Sequence, residues 1–502
     1  MRLYIEGPVN KYYVQTLCMI FFPGAKFPEN EPETPETIVI VIDLKEDETA
    51  AAAHAEIRRG DKITIGDAVQ LRDAAVGDDD RIRKIAVGHA FLIAGQTFTG
   101  FTPPWGIMTG VRPAKLVSEY LEHGMTPEQA AGILRREFFV TPVKASLAAT
   151  VAVAENRLIT PEARRDCSVY IAIPFCPSRC AYCSFVSYTS PNLRALIPDY
   201  LRALADDIDK TAELIRALGL HVRTVYIGGG TPTVLSADEL RFLLPHILPL
   251  AGGAEEFTLE AGRPDTITAE KLAVAREYGV TRISVNTQTL NEEILAKIGR
   301  KHTAAEFFTA YETARASGIP EINIDLIAGL PGEGAASFAR TIDGILPLHA
   351  ENVTVHTFCV KKSASLKTEV EAGADGTIPY DRDGAEAMAA VLYSQNALTG
   401  AGYQPYYMYR QKNTVGNLEN VGYAKPGHEG LYNVYMMEEV HSIFACGASA
   451  VTKFVSLPDA NGNVRIERIF EPKYPYEYLR ENERETRFAA LQEAAYRFFE
   501  KP

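Results

Sequence analysis

From Cys167 onward, hydrophobic and polar positions repeat in a fixed rhythm. Apolar runs at 168–173, 221–227, 256–260, 282–285, 321–327 and 352–358 are short and rich in β-branched residues, and read as strands. Between them, apolar positions recur at helical spacing over 193–218, 237–250, 269–278, 292–298, 304–317 and 334–348. Strands that alternate with crossover helices predict a parallel sheet with right-handed connections. Six units fit an open, three-quarter barrel better than a closed eightfold one. The fold class is therefore α/β, a partial (β/α)6 TIM-like barrel.

The flanking regions follow other patterns. In residues 1–142, runs at 37–43, 62–65 and 85–92 read as strands, with a polar turn at 77–81. A helix over 130–138 is marked by Thr126 as cap, Pro127 in the first turn and Gln129 completing a capping box. This region reads as a small α/β accessory domain without identifiable chemistry, and the segment 103–113 around Trp105 as a packed turn. Residues 143–166 form a helical linker, 167–360 the core, and 361–502 a mixed domain expected to cover the barrel mouth.

Composition narrows the function. The 502 residues are 46% hydrophobic and 23% charged, ordinary for a globular protein. With 51 basic and 64 acidic residues the net charge is −13, which repels phosphate backbones and argues against nucleic-acid partners. No apolar run reaches the length of a membrane span; the run at 18–22 ends at Pro23 without a signal-peptide layout. A cytoplasmic protein is expected. Seven cysteines in such a chain do not suggest a disulfide framework, yet three fall within eight residues.

In open parallel sheets, reactive groups sit on loops after the C-terminal strand ends. The unusual residues fall there: the cysteines after the first strand, glycines after the second, Glu260 ending the third, Gln288 past the fourth, and Asp325 late in the fifth. Cys176, Cys180 and Cys183 have C-x-x-x-C-x-x-C spacing within YIAIPFCPSRCAYCSF. Three thiolates on one loop can hold three irons of a 4Fe–4S cubane and leave the fourth open. That iron can chelate the amino and carboxylate groups of S-adenosylmethionine (SAM). A structural zinc site would want a fourth Cys or His nearby, and the next twenty residues offer none. The segment resembles the radical SAM superfamily, and YIGGGTPT over 226–233 resembles its stretch that contacts the methionine moiety. Glu260, Gln288 and Asp325 are polar groups on apolar strands that call for a ligand or one another. Arg300 and His302, in GRKHT, either join them or cap a helix. Cys18, Cys167 and Cys446 read as small buried hydrophobes.

Taken together, YIAIPFCPSRCAYCSF, GGGTPT, TLEAGRPD, GVTRISVNTQTLN, GRKHT and DLIAGLPGE resemble the oxygen-independent coproporphyrinogen III oxidase family. YYMYRQKN, GNLENVGYAKPG and FACGASAVTK resemble its Gram-positive coproporphyrinogen dehydrogenase branch. The resemblance implies decarboxylation of two propionates of coproporphyrinogen III to vinyl groups. It also implies a 4Fe–4S cluster, two SAM molecules, and an electron donor such as flavodoxin or ferredoxin. By motif, Tyr170, Gly229 and Glu260 would contact the first SAM. Tyr182, Gly230, Thr231, Gln288, Arg300, Asp325 and Cys359 would surround the second.

One departure bears on the activity. Well-studied oxidases of the family carry a further cysteine where this chain has Phe185, a replacement shared with the family's haem-chaperone branch. That branch carries a His-Asn-x-x-Tyr-Trp motif, which cannot occur in the C-terminal part because the single tryptophan is Trp105. Lys361, Lys362, Arg410 and Lys412, among the tyrosines of PYYMYRQKN, are candidates to pair with substrate carboxylates or to form a solvated face. A haem-trafficking protein and a haem-degrading radical methyltransferase stand as alternatives.

Overall fold

Alternation in the N-terminal region builds a four-stranded sheet of β1 (Arg2–Glu6), β2 (Val39–Glu46), β3 (Ala50–Arg59) and β4 (Lys62–Leu71), in that order. The first pair is parallel and the others antiparallel. The fold is that of a computed structural model, which describes residues 1–28, 32–183, 185–359, 384–411, 414–459 and 463–499. Helix α1 (Lys11–Phe21) joins the first two strands and α2 (Asp79–Thr99) follows the sheet. The run at 85–92, read as a strand from its apolar character, is the middle of α2. Asp78 caps that helix by accepting the Arg81 N–H, and Gly100 closes it in the left-handed conformation. A short apolar run looks alike in a buried strand and a buried helix, and here the caps decide. Strand β3 escaped notice because its alanines have weak strand propensity; pairing along both edges makes it a strand.

Three more helices complete this region: α3 (Pro113–Glu122), α4 (Pro127–Glu137) and α5 (Pro142–Leu158). Both halves of the Thr126–Gln129 capping box are made. Trp105 is fully buried in its turn, and its Nε1 donates to Glu419 Oε2 at 2.7 Å. Among the described residues, Met1–Val153, 384–388 and Met408–Asn420 belong to one unit, and 154–359, Ala389–Tyr407 and 421–499 to the other. The division falls inside α5.

The second unit contains the barrel strands. Strands β5 (Cys167–Ile173), β6 (Val222–Gly229), β7 (Glu256–Leu259), β8 (Arg282–Ser284), β9 (Glu321–Ala328) and β10 (Asn352–Thr357) lie side by side in chain order, all parallel. The helix expected over 193–218 is divided into α6 (Pro191–Arg194) and α7 (Ile197–Ala217). Pro198 in the first turn of α7 cannot donate to a preceding turn, so a new helix starts there. Helices α8 (Ala237–Ala251), α9 (Ala269–Glu277), α10 (Glu292–Lys297), α11 (Ala304–Ala316) and α12 (Ala335–Ile345) fill the remaining crossovers.

The sheet does not close on itself. Strand β10 has β12 (Glu419–Ala424) as its antiparallel outer neighbour, with β11 (Gln404–Arg410) beyond it. On the other side, β5 is flanked by β13 (Ser442–Cys446), then β14 (Val451–Val455) and β15 (Ile466–Phe470). The C-terminal strands therefore extend the barrel sheet at both ends. Helix α13 (Ala385–Gly400) precedes β11, α14 (Leu431–Met437) precedes β13, and α15 (Pro475–Tyr478) and α16 (Glu481–Phe499) end the chain.

Candidate functional site

The cysteine loop leaves the C-terminal end of β5 and is held from several sides. The Cys176 N–H donates to Tyr188 O at 3.1 Å, the Ala181 N–H to Ile298 O at 2.9 Å, and the Cys183 N–H to Cys180 O at 3.1 Å. Arg263, 3% exposed, anchors the turn by donating Nη1 to Ser178 Oγ at 2.7 Å, while Nε and Nη2 fork onto Asp265 at 2.9 and 2.8 Å. Cys176 and Cys180 are buried, Cys183 is half-buried, and none forms a disulfide.

Burial pushes the Cys176 thiol up and the Cys183 thiol to about 11, and each feels the charge of Cys180 as a further rise. Cys183 also feels Cys176. The three sulfurs thus lie within Coulomb reach of one another. Among the described residues, no group of three or more His, Cys, Asp or Glu is arranged to hold a metal ion. A cubane asks for less convergence, because each thiolate binds a different iron. Three free thiols without a fourth protein ligand fit a cluster with one open iron, and binding it would release their protons.

The glycine run after β6 lies against this loop. The Gly230 N–H donates to Ile173 O and the Thr231 N–H to Phe175 O, both at 2.8 Å, and Thr231 Oγ1 stands 3.3 Å from Cys176 Sγ. A Cβ on Gly230 would meet Phe175 O at 2.5 Å and Cys176 Sγ at 3.0 Å. Glycine is required here so that the two backbones can touch. Deeper in the sheet, Tyr170 on β5 and Tyr226 on β6 are register partners, with ring centroids 6.1 Å apart. Tyr432 of α14 stacks on Tyr226 at 4.6 Å. The Tyr226 hydroxyl hydrogen-bonds to Glu260, whose carboxyl burial raises to about 8, with the Asp325 charge adding to the rise. A Cβ on Gly228 would stand 2.8 Å from Glu260 Oε2, so that glycine makes room for the carboxyl.

A polar chain runs from the cysteine loop across the strand ends. Arg300 is buried; its Nη2 donates to the Tyr182 hydroxyl at 2.9 Å, and its Nη1 to Gly262 O and Asn286 O at 3.0 and 3.1 Å. Asn286 Nδ2 donates to Asp325 Oδ2 at 2.8 Å, and the Asp325 N–H returns to Asn286 Oδ1 at 3.0 Å. The Gln288 N–H donates to Asp325 O at 3.1 Å. Gln288 is 6% exposed, sits at φ 74, and its Oε1 has no hydrogen-bond partner among the described residues. Held in the left-handed region as a non-glycine residue, with an orphaned buried oxygen, Gln288 is a candidate for contact with a ligand. His302 Nδ1 is likewise without a partner among the described residues, and burial with the Arg300 charge lowers this imidazole to about 4.

The structure thus brings together Tyr170, Cys176, Cys180, Tyr182, Cys183, Gly229, Gly230, Thr231, Glu260, Gln288, Arg300 and Asp325 on the C-terminal side of β5 to β9. Cys359 follows the end of β10, half-buried. Cys18, Cys167 and Cys446 are buried, as read from the sequence. Lys361, Lys362 and Lys412 lie outside the described residues. Arg410 is not a surface cation: it is buried, donates Nη1 to Met108 O at 2.6 Å, and lies over the Trp105 ring. Burial lowers its guanidinium to about 10. Tyr406 and Tyr407 beside it are also core residues. Sequence reasoning missed Arg263, Asn286, Tyr226 and Tyr432. The first three lay inside or beside quoted motifs, whereas nothing local marked Tyr432.

Comparison with known proteins identifies the family. The Radical SAM superfamily model matches residues 170–345. The oxygen-independent coproporphyrinogen-III oxidase-like protein HemZ of Bacillus subtilis is 38% identical over 402 residues, 79% of this chain and 78% of that protein. The chain belongs to the oxygen-independent coproporphyrinogen III oxidase family. Membership in this radical SAM family implies a 4Fe–4S cluster and SAM. The family's heme chaperone HemW of Bacillus subtilis is 31% identical over 318 residues, covering 62% of this chain and 77% of its own. The structure of coproporphyrinogen III oxidase HemN from Escherichia coli superposes with a TM-score of 0.48 at 22% identity, over 64% of this chain and 74% of that one. No helix among the described residues of this family member is long and apolar enough to cross a membrane.

Proposed function

We propose that the protein is a coproporphyrinogen III oxidase that works without oxygen, converting two propionates of its substrate to vinyl groups. Cys176, Cys180 and Cys183 hold the cluster. Tyr170, Gly229 and Glu260 contact one SAM. Tyr182, Gly230, Thr231, Gln288, Arg300, Asp325 and Cys359 surround a second. When bound, the cluster and SAM would supply one-electron radical chemistry for removing hydrogen from a propionate β-carbon.

The chain's own residues supply position and charge. Arg300, charged and tied to Tyr182, couples the cysteine loop to the strand ends. Gln288 offers an uncommitted oxygen to a donor such as an amino group or a ribose hydroxyl. Glu260, near neutrality in its pKa, can accept from ribose hydroxyls as carboxylate or donate as acid. The reading rests on one observation: a hydrogen-bonded chain of Tyr182, Arg300, Asn286 and Asp325 starts in the cysteine loop and reaches Gln288, whose buried Oε1 has no partner among the described residues.

A second reading, a haem-carrying protein, draws support from Phe185 in place of the family's further cysteine and from the similarity to HemW. One anaerobic assay separates the two. Reconstituted protein is incubated with coproporphyrinogen III, SAM and dithionite, and the porphyrins are resolved. Vinyl products are expected; haem transfer without turnover would favour the second reading. Cys180→Ala is expected to abolish deoxyadenosine formation, and a Cys180→Ala protein that still made vinyl product would refute the mechanism.

A further inference from the structure

Side chains two apart along a strand share a face. Tyr226 and Gly228 of β6 therefore point the same way as Thr258 and Glu260 of β7, because Tyr226 is the register partner of Thr258. Glycine at 228 leaves an open place on that face. A Cβ there would stand 2.7 Å from Tyr226 Cε1 and 2.8 Å from Glu260 Oε2, so the hydroxyl-bearing edge of the ring and the carboxyl meet over Gly228. There the Tyr226 hydroxyl donates its hydrogen bond to Glu260. Both residues are half-buried, so the pair stays open to a ligand.

The ring of Tyr226 is held from two sides. Tyr170, its register partner on β5, lies 6.1 Å away at 17° between planes, and Tyr432 lies 4.6 Å away at 23°. Tyr432 is itself 6% exposed and sits in the first turn of α14, where the Leu431 N–H donates to Glu256 Oε2 at 2.7 Å. Just before that turn, Arg282 Nη2 donates to His428 O at 3.0 Å and to Glu429 O at 3.2 Å. A barrel strand and the returning C-terminal helix thus agree on one place for the Tyr226 hydroxyl.

We propose that Tyr226 is a positioning residue for the cofactor: clasped by Tyr432, it donates its hydroxyl hydrogen to Glu260 and holds that carboxylate where the ribose of SAM is bound. The proposal rests on the SAM reading above. The other groups facing Glu260 give a mixed field. Burial and the Asp325 charge on β9 favour the neutral acid, the Arg300 charge favours the carboxylate, and Tyr170 and Tyr432 present phenols that burial keeps uncharged. A neutral donor aimed at one carboxylate oxygen tips that balance toward the charged form and fixes its plane, leaving the second oxygen for the cofactor.

The test measures SAM binding to anaerobically reconstituted full-length protein by equilibrium dialysis, from about pH 7 to about pH 9.5. It compares the parent, Tyr226→Phe, Glu260→Ala and the double variant. Tyr226→Phe keeps the ring and removes the hydroxyl. It is expected to bind SAM about tenfold more weakly near neutral pH, the loss of one hydrogen bond to a charged group. Most of that loss should return at the alkaline end, where Glu260 is ionised in both proteins. In the Glu260→Ala background the same change should cost less than about twofold, because a residue acting through another has no effect once its partner is gone. Tyr432→Phe, which keeps the clasp, should bind like the parent, and Tyr432→Ala about threefold more weakly. Equal affinities of the parent and Tyr226→Phe across the range overturn the proposal. So does a loss that persists unchanged in the Glu260→Ala background, which would make Tyr226 a direct ligand or a general support of the fold. A parent that binds no SAM would overturn the cofactor reading instead, and thermal unfolding of the cofactor-free protein then decides the contact. Tyr226→Phe should carry the loss of stability that accompanies Glu260 ionisation to higher pH, and profiles that coincide with the parent's refute it.

Discussion

Gly230→Ala adds one methyl group where two loops meet. Its Cβ would stand 2.5 Å from Phe175 O, 2.9 Å from Phe175 C and 3.0 Å from Cys176 Sγ. Two of the three are backbone atoms that cannot swing aside, and the first falls short of ordinary contact by most of an ångström. The flanking hydrogen bonds, Gly230 N–H to Ile173 O and Thr231 N–H to Phe175 O, clamp both sides at 2.8 Å. If the chain keeps its bonds, overpacking costs about 1–3 kcal/mol; if it opens, two backbone hydrogen bonds at about 1 kcal/mol each are lost. Both routes give about 2 kcal/mol, or about thirtyfold between a seated and a displaced Cys176. The assay is iron and sulfide per chain after anaerobic reconstitution, followed by the rate of iron loss to a chelator. Gly400→Ala, at the end of α13 with open space around its Cβ, is the control and should lose nothing. A Gly230→Ala protein that holds iron as firmly as the parent would show that the glycine run does not seat the cysteine loop.

Other consequences follow from the same geometry. Gln288→Met removes the orphaned Oε1, so the cofactor-free protein should gain about 1 kcal/mol in stability while SAM binding weakens; thermal unfolding and equilibrium dialysis check the two signs, and a loss of both refutes the reading. Glu260, raised from 4.5 to about 8, keeps its proton in the folded state where the unfolded chain has released it. Its contribution to stability is therefore complete below about pH 4.5 and disappears as pH rises through about 8. Glu260→Gln should flatten that part of the pH profile of unfolding without cofactor, and parallel profiles for both proteins contradict it. Arg300→Ala leaves Gly262 O and Asn286 O without their donor and frees Tyr182, costing about 2–4 kcal/mol. SAM affinity should fall even where reconstituted iron content is retained, and unchanged affinity sinks the claim.

Local chemistry carried much of the site into the sequence. Six apolar runs with helices between them determine a parallel sheet, because side-chain period and connection length leave few other packings. The C-x-x-x-C-x-x-C spacing determines a loop that presents three thiolates together. Capping residues show the same legibility at Thr126 and Gln129, whose reciprocal bonds need only neighbours in the chain. Runs without such punctuation were ambiguous, and 85–92 became the middle of α2 only through its caps at Asp78 and Gly100.

Contacts between distant segments were decided by tertiary structure alone. Arg410 read as a free cation, yet burial beside Trp105 turned it into a core donor to Met108 O. Tyr432, without any local signal, completes a ring stack with Tyr226 and Tyr170 because α14 returns to the strand ends. The sequence specifies which groups are present and which neighbours they have along the chain. Which groups are buried, charged or left without a partner depends on the field and packing of segments hundreds of residues away, and these exist only once the sheet has formed.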